Sequence, residues 1–141
     1  MRWFLFLLAA ASLASSVLAA DGKGALTVVM TGFRNDAGTA MVSVFGGSEG
    51  FPYETSRAVA KAGVAIENGR AVAVFPGLAY GTYAVAVFHD ENGSGRLERN
   101  ALGIPRQGYG LSNAPSGLPR FDKSAFSLEA PETTVRIPLK Y

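Results

Sequence analysis

At 141 residues, 48% hydrophobic and 17% charged, the chain suits one domain large enough to bury a core without covalent staples, and it is too apolar to be disordered. The net charge of +2 comes from scattered basic residues with no cluster, which argues against a nucleic-acid surface. With no cysteine, disulfide frameworks, thiolate catalysis and lipid attachment at a cleavage site are all excluded.

Residues 1–19 read as a signal peptide. Met1-Arg2 is a short positive start, Trp3 to Leu13 is an apolar run, and Val17-Leu18-Ala19 supplies the small residues before a cut. The run is shorter than the roughly 20 residues that span a bilayer, so no transmembrane segment is expected after cleavage. The expected location is the bacterial periplasm or the medium. Residues 20–141 are then a single domain, and losing Arg2 takes its net charge from +2 to +1.

In chain order, Ala25 to Phe33 is rich in β-branched and aromatic residues and ends at the turn cluster Asn35-Asp36-Ala37-Gly38. Thr39 to Phe45 resumes the alternation, and the two runs read as a hairpin. A glycine-rich loop leads to the aromatic patch Phe51-Pro52-Tyr53. Ser56 to Ala65 has features of both helix and strand. The Asn68-Gly69 pair decides for a β-hairpin of Val59–Glu67 with Arg70–Phe75, because both turn residues must adopt positive φ.

Pro76 to Gly81 reads as a turn, and Thr82 to His89 as a strand apolar on both faces, hence central and covered twice. From Asp90 to Asp122 the chain is rich in Gly, Pro, Asn and Ser. A loop that long is functional or disordered, and its embedded Leu97, Tyr109, Leu111 and Phe121 argue for packing. Ser124–Leu128 and Thr133–Leu139 close the chain, with Pro138 placing the last strand at an edge or ending it there. About seven short strands and no long helix indicate an all-β, antiparallel β-sandwich.

Two blocks carry a family resemblance. Phe75-Pro76-Gly77-Leu78 with Gly81 through Gly93 is one; Leu102-Gly103-Ile104-Pro105, Gly108-Tyr109-Gly110 and Ser112-Asn113 is the other. Together they resemble the bacterial domain-of-unknown-function family numbered 2141. The resemblance implies an exported β-sandwich similar to immunoglobulin-like and transthyretin-like modules, and it implies no activity. Members of that family tend to have Asn where Ser94 stands, Asp at Glu98 and often Glu at Gln107.

The chemistry concentrates after the central strand. Asp90, Asn92, Ser94 and Glu98 occupy the first, third, fifth and ninth positions of a loop with Gly95 sixth. That is the ligand spacing of a calcium loop, with the Arg96 carbonyl as backbone ligand. Ala101 stands where a calcium-binding hand has its bidentate Glu, so binding should be weak, on the order of 10⁻⁴–10⁻³ M. A plain polar turn made of the usual turn residues is the equal alternative.

His89 is the only histidine. Catalysis would need a nucleophile in reach and a group to orient the ring. Asp90, as a strand neighbour, points to the opposite face, so a structural histidine is the preferred reading. Phe51, Pro52, Tyr53, Tyr109 and Phe121 offer either an aromatic platform or, as preferred, a cap on the sandwich. The expected function is a non-enzymatic exported module binding an envelope protein or glycan. The alternative is a small periplasmic hydrolase using His89 and the Asp90 loop.

Overall fold

The computed structural model describes residues 22–103 and 105–141, so the expected signal peptide lies outside the described residues. The elements are β1 (Lys23–Thr31), β2 (Thr39–Phe45), β3 (Ala60–Val64), β4 (Ala71–Ala79), β5 (Gly81–Asp90), β6 (Tyr109–Leu111), a one-turn helix α1 (Phe121–Ser124), β7 (Phe126–Leu128) and β8 (Glu132–Pro138). A 3-10 turn at Thr55–Arg57 precedes β3. No helix among the described residues is long and apolar enough to cross a membrane.

The protein is all-β and built from two sheets. One has the order β4-β1-β8 and the other β3-β2-β5-β6, with β7 also paired to β5. All pairings are antiparallel except β1 with β8, which run parallel. Strand alternation sends Leu26, Val28 and Met30 of β1 and Ala71, Ala73 and Phe75 of β4 into a shared core. They meet Ala40, Val42 and Val44 of β2 and Val85 and Val87 of β5. Fully burying one such aliphatic side chain is worth roughly 1.5–3 kcal/mol.

β5 is covered on both faces, as its composition predicted. On the outward side Ala84 is fully buried and Phe88 nearly so. Phe45, beside it on β2, packs edge-on against Phe51 at 5.4 Å, and Phe51 against Phe121 at 5.9 Å. Phe51 and Phe121 thus cover part of the outer face of the larger sheet.

Several expectations need correction, the first being purely antiparallel pairing, since β1 and β8 run parallel. β1 and β2 form no hairpin, because the Asn35–Gly38 cluster carries the chain from one sheet to the other. The Asn68-Gly69 turn does form, with φ of 52° and 73° and a bridge between Glu67 and Arg70. Its arms then part, β3 joining β2 and β4 joining β1. The Asp36 carboxylate accepts the Asn68 and Gly69 N–H groups at 2.9 and 2.8 Å, holding the turn between the sheets. Finally, Pro76 and Gly77 lie inside β4 rather than in a turn.

The long segment after Asp90 contains an eighth strand, β6, that was expected to be loop. Its Gly-Tyr-Gly approach is dictated by contact. A Cβ on Gly108 would fall 2.3 Å from the Tyr141 ring, and one on Gly110 would fall 2.6 Å from Cγ2 of Ile137. Only glycine lets β6 come this close to the chain around β8. The last strand ends at Pro138 and lies at a sheet edge, as expected.

Candidate functional site

Asp90 is the last residue of β5, 2% exposed, and its side chain lies on the outer face of the sheet. The loop that follows wraps around this carboxylate. Its Oδ1 accepts the Ser94 N–H at 3.1 Å and the Ser94 hydroxyl at 3.3 Å, while Oδ2 accepts the Gly95 N–H at 2.7 Å. These donors satisfy a buried carboxylate that would otherwise be costly. Asn92 Oδ1 accepts the same Ser94 N–H at 3.1 Å.

Of the oxygens expected as ligands, three lie close in a row, those of Asp90, Ser94 and Arg96. Ser94 Oγ is 3.3 Å from both Asp90 Oδ1 and the Arg96 carbonyl oxygen. Glu98 joins through a contact of 3.4 Å between its Oε1 and Asn92 Nδ2. The donor set is two carboxylates, an amide, a hydroxyl and a carbonyl. That is hard-oxygen chemistry, of the kind that suits magnesium, calcium or manganese rather than the softer zinc or copper. Among the described residues no group of three or more His, Cys, Asp or Glu is arranged to hold a metal. Any cation here would be held largely by neutral oxygens.

Gln107 was not singled out from the residues, yet it ties the loop together. Its Oε1 accepts the Glu98 N–H at 2.8 Å and its Nε2 donates to the Arg96 carbonyl at 2.9 Å. The amide therefore sets the direction of one candidate ligand and the backbone of another. No spacing rule reveals such a partner, because Gln107 is nine residues from Glu98.

His89 points the other way, to the inner face, and is fully buried. Nε2 lies 2.7 Å from the Ala37 carbonyl oxygen and Nδ1 lies 2.6 Å from the Tyr141 hydroxyl. Phe33 packs edge-on against the ring at 5.2 Å. Asp90 does not orient His89; the two side chains lie on opposite faces of β5. The polar cluster around the histidine continues to the surface. Arg34 pairs with Glu91 through both of its ends, Nε to Oε1 and Nη2 to Oε2, and its guanidinium sits 5.0 Å from the centroid of the Tyr141 ring. Arg34 holds the Glu91 carboxyl below its ordinary value, and burial with Glu91 nearby raises the Tyr141 phenol.

The Ser112-Asn113 pair closes a gap in the sheet. β5 pairs with β6 over residues 86–88 and with β7 over residues 81–83. Between them, Ser112 donates its N–H to the Val85 carbonyl at 3.0 Å, accepts the Val85 N–H on Oγ at 2.9 Å and donates its hydroxyl to the Ser124 carbonyl at 2.6 Å. Asn113 Nδ2 reaches the carbonyls of Lys123 and Ala125. The Ser112-Asn113 part of the second sequence block thus serves sheet closure and loop support.

No curated protein and no solved structure matches this chain. A family profile does match it, over residues 28–136, and that span contains β2 to β7, the Asp90 loop and the Ser112-Asn113 closure. The chain belongs to the family described as an uncharacterized protein conserved in bacteria (DUF2141).

Proposed function

We propose that the protein is an exported, non-enzymatic module with an immunoglobulin-like or transthyretin-like β-sandwich, and that it binds an envelope or extracellular component, a protein or a glycan. The segment between β5 and β6 is its working surface. A calcium ion held by Asp90, Asn92, Ser94, the Arg96 carbonyl and Glu98 stiffens that surface. The observation that supports the calcium most directly is the chain of oxygens Asp90 Oδ1, Ser94 Oγ and Arg96 O at 3.3 Å spacing. Oxygens so spaced can share one cation at the 2.3–2.6 Å of calcium ligands. The engagement of both His89 nitrogens favours a binding module over a hydrolase.

Melting of the folded protein in calcium and in chelator tests the metal. Export is tested by the intact mass of protein recovered from the periplasm, which should lack residues through Ala19 or Ala20. Recovery of the uncleaved chain from the cytoplasm would overturn the localisation.

A further inference from the structure

The outer face of the β3-β2-β5-β6 sheet is only partly covered by the loops above it. Two open cavities, about 240 Å³ and about 270 Å³, share Thr55, Phe88 and Gly95 and so run together as one cleft. Met41 of β2 and Phe88 of β5 form its apolar floor, with the Ser43 hydroxyl between them in the lining and Lys61 of β3 also lining it. Tyr53 lines the other part, facing Arg96, Leu97 and Arg99 of the long loop.

The charge lining this cleft is of one sign. Lys61, Arg96 and Arg99 line it and no Asp or Glu does. Among the described residues none of these three is in an ion pair, whereas Arg34, Arg57 and Arg120 are each paired with a carboxylate. Arg99 is held flat, its guanidinium 4.5 Å from the centroid of the Tyr53 ring. A stacked guanidinium keeps its N–H fork free and oriented for an acid. Burial raises the Tyr53 phenol above its ordinary value, with Tyr109 adding to the rise and Arg99 opposing it, so the hydroxyl keeps its proton and can also donate.

We propose that this cleft binds a small organic anion: an acid group held by Arg99 and Arg96, on a flat apolar body that lies over Phe88. Lys61 adds to the field without needing to touch the acid. Each cavity lies just below the roughly 300–1,000 Å³ typical of small-molecule sites, which fits a compact acid, free or as the end group of a larger envelope component. The proposal rests on the reading of the long loop as a binding surface, but it does not need the calcium.

The probe is 8-anilinonaphthalene-1-sulfonate, a sulfonate on a flat apolar body, titrated by fluorescence onto the folded protein in calcium and in chelator. Saturable one-site binding is expected. Losing a charge-assisted contact should weaken it roughly ten-fold or more in Arg99→Glu and in Arg96→Glu. Both side chains are exposed, and circular dichroism confirms that each variant is folded. Arg136→Glu makes the same charge change on β8 of the other sheet and should leave affinity within about two-fold. The uncharged N-phenyl-1-naphthylamine should bind far more weakly, and 2-naphthoate should compete with the sulfonate. Absence of saturation, equal affinity in Arg99→Glu, or equal binding of the uncharged amine would each overturn the proposal. The calcium shift is read by melting without dye, so loss of the cleft and loss of the metal site are separate results.

Discussion

The Tyr141 hydroxyl lies 2.6 Å from Nδ1 of His89, across 52 residues of sequence. The proton positions follow from the other partners. The Ala37 carbonyl can only accept, so Nε2 carries the hydrogen. In the neutral ring Nδ1 then accepts from Tyr141, whose oxygen in turn accepts the Arg34 backbone N–H at 3.1 Å. Tyr141→Phe removes this partner and leaves Nδ1 with only the Glu91 carboxylate at 3.5 Å, at a cost of about 1–3 kcal/mol. Urea unfolding should show this as a lower midpoint with an unchanged slope. His89→Gln should likewise lower stability. A hydrolytic activity abolished by His89→Gln with the fold intact would instead show that the binding-module reading is wrong.

Glu91 links that cluster to solvent pH. Its carboxyl is held below its ordinary value of 4.5, first by the hydrogen bonds from Arg34, against an opposing push from burial, and then by the Arg34 charge. A carboxyl lowered in the folded state stabilises the fold fully above its unfolded value. That contribution is lost as pH falls through the lowered folded value. The wild type should therefore lose stability as pH drops below about 4.5, the ordinary carboxyl value. Glu91→Gln should be less stable at neutral pH and show a flatter acid limb. Melting from pH 7 to pH 3 checks this, and identical slopes would remove Glu91 from the linkage.

Ser112→Ala tests the closure of the sheet. The hydroxyl accepts from Val85 and donates to Ser124 in a site 1% exposed. Alanine fits the space but orphans the Val85 N–H and the Ser124 carbonyl. The expected loss is about 1–3 kcal/mol. Hydrogen exchange should speed up first at Val85, next to the gap between β6 and β7. Unchanged exchange there would mean that water replaces the serine oxygen.

What was legible in the sequence is what is local. The run Thr82 to His89 has small or apolar residues on both sides of its alternation, and β5 is the strand buried on both faces. Asp90, Ser94 and Arg96 lie within seven residues, and the local turn brings their oxygens side by side. The sheet assignment was not local. Asn35–Gly38 and Asn68-Gly69 both look like hairpin turns, and both carry the chain between sheets. Which strand each arm joins depends on the opposite partner, and β1 finds its own at β8, about a hundred residues on. β6 is three residues long, too short for a period to show. Tyr141 and Gln107 were missed because a side-chain hydrogen bond leaves no periodic trace.

The Asp90 loop gives the sharpest test. If calcium binds at the converging oxygens of Asp90, Asn92, Ser94, Arg96 and Glu98, it binds the folded chain and not the unfolded one, which cannot assemble the site. At a hundred times its dissociation constant such a ligand adds about 2.7 kcal/mol. With a dissociation constant of about 10⁻⁴–10⁻³ M that takes roughly 10–100 mM calcium, so the melting temperature should rise progressively up to that range and fall in chelator. Magnesium should do less, since it demands a smaller octahedron and releases water reluctantly. Two losses must be kept apart in the variants. Asp90→Ala also removes the acceptor for the Ser94 and Gly95 N–H groups, so it should melt lower even in chelator and show no calcium shift. Glu91→Ala breaks the pair with Arg34, so it should melt lower too, but keep the shift. Ser94→Asn exchanges a hydroxyl for a stronger carbonyl ligand and should enlarge the shift, while loss of the hydroxyl's bonds to Asp90 and Arg96 should lower the melt in chelator. Equal melting of the wild type in calcium and in chelator would leave the loop as a polar turn, its carboxylate satisfied by Ser94 and Gly95 alone.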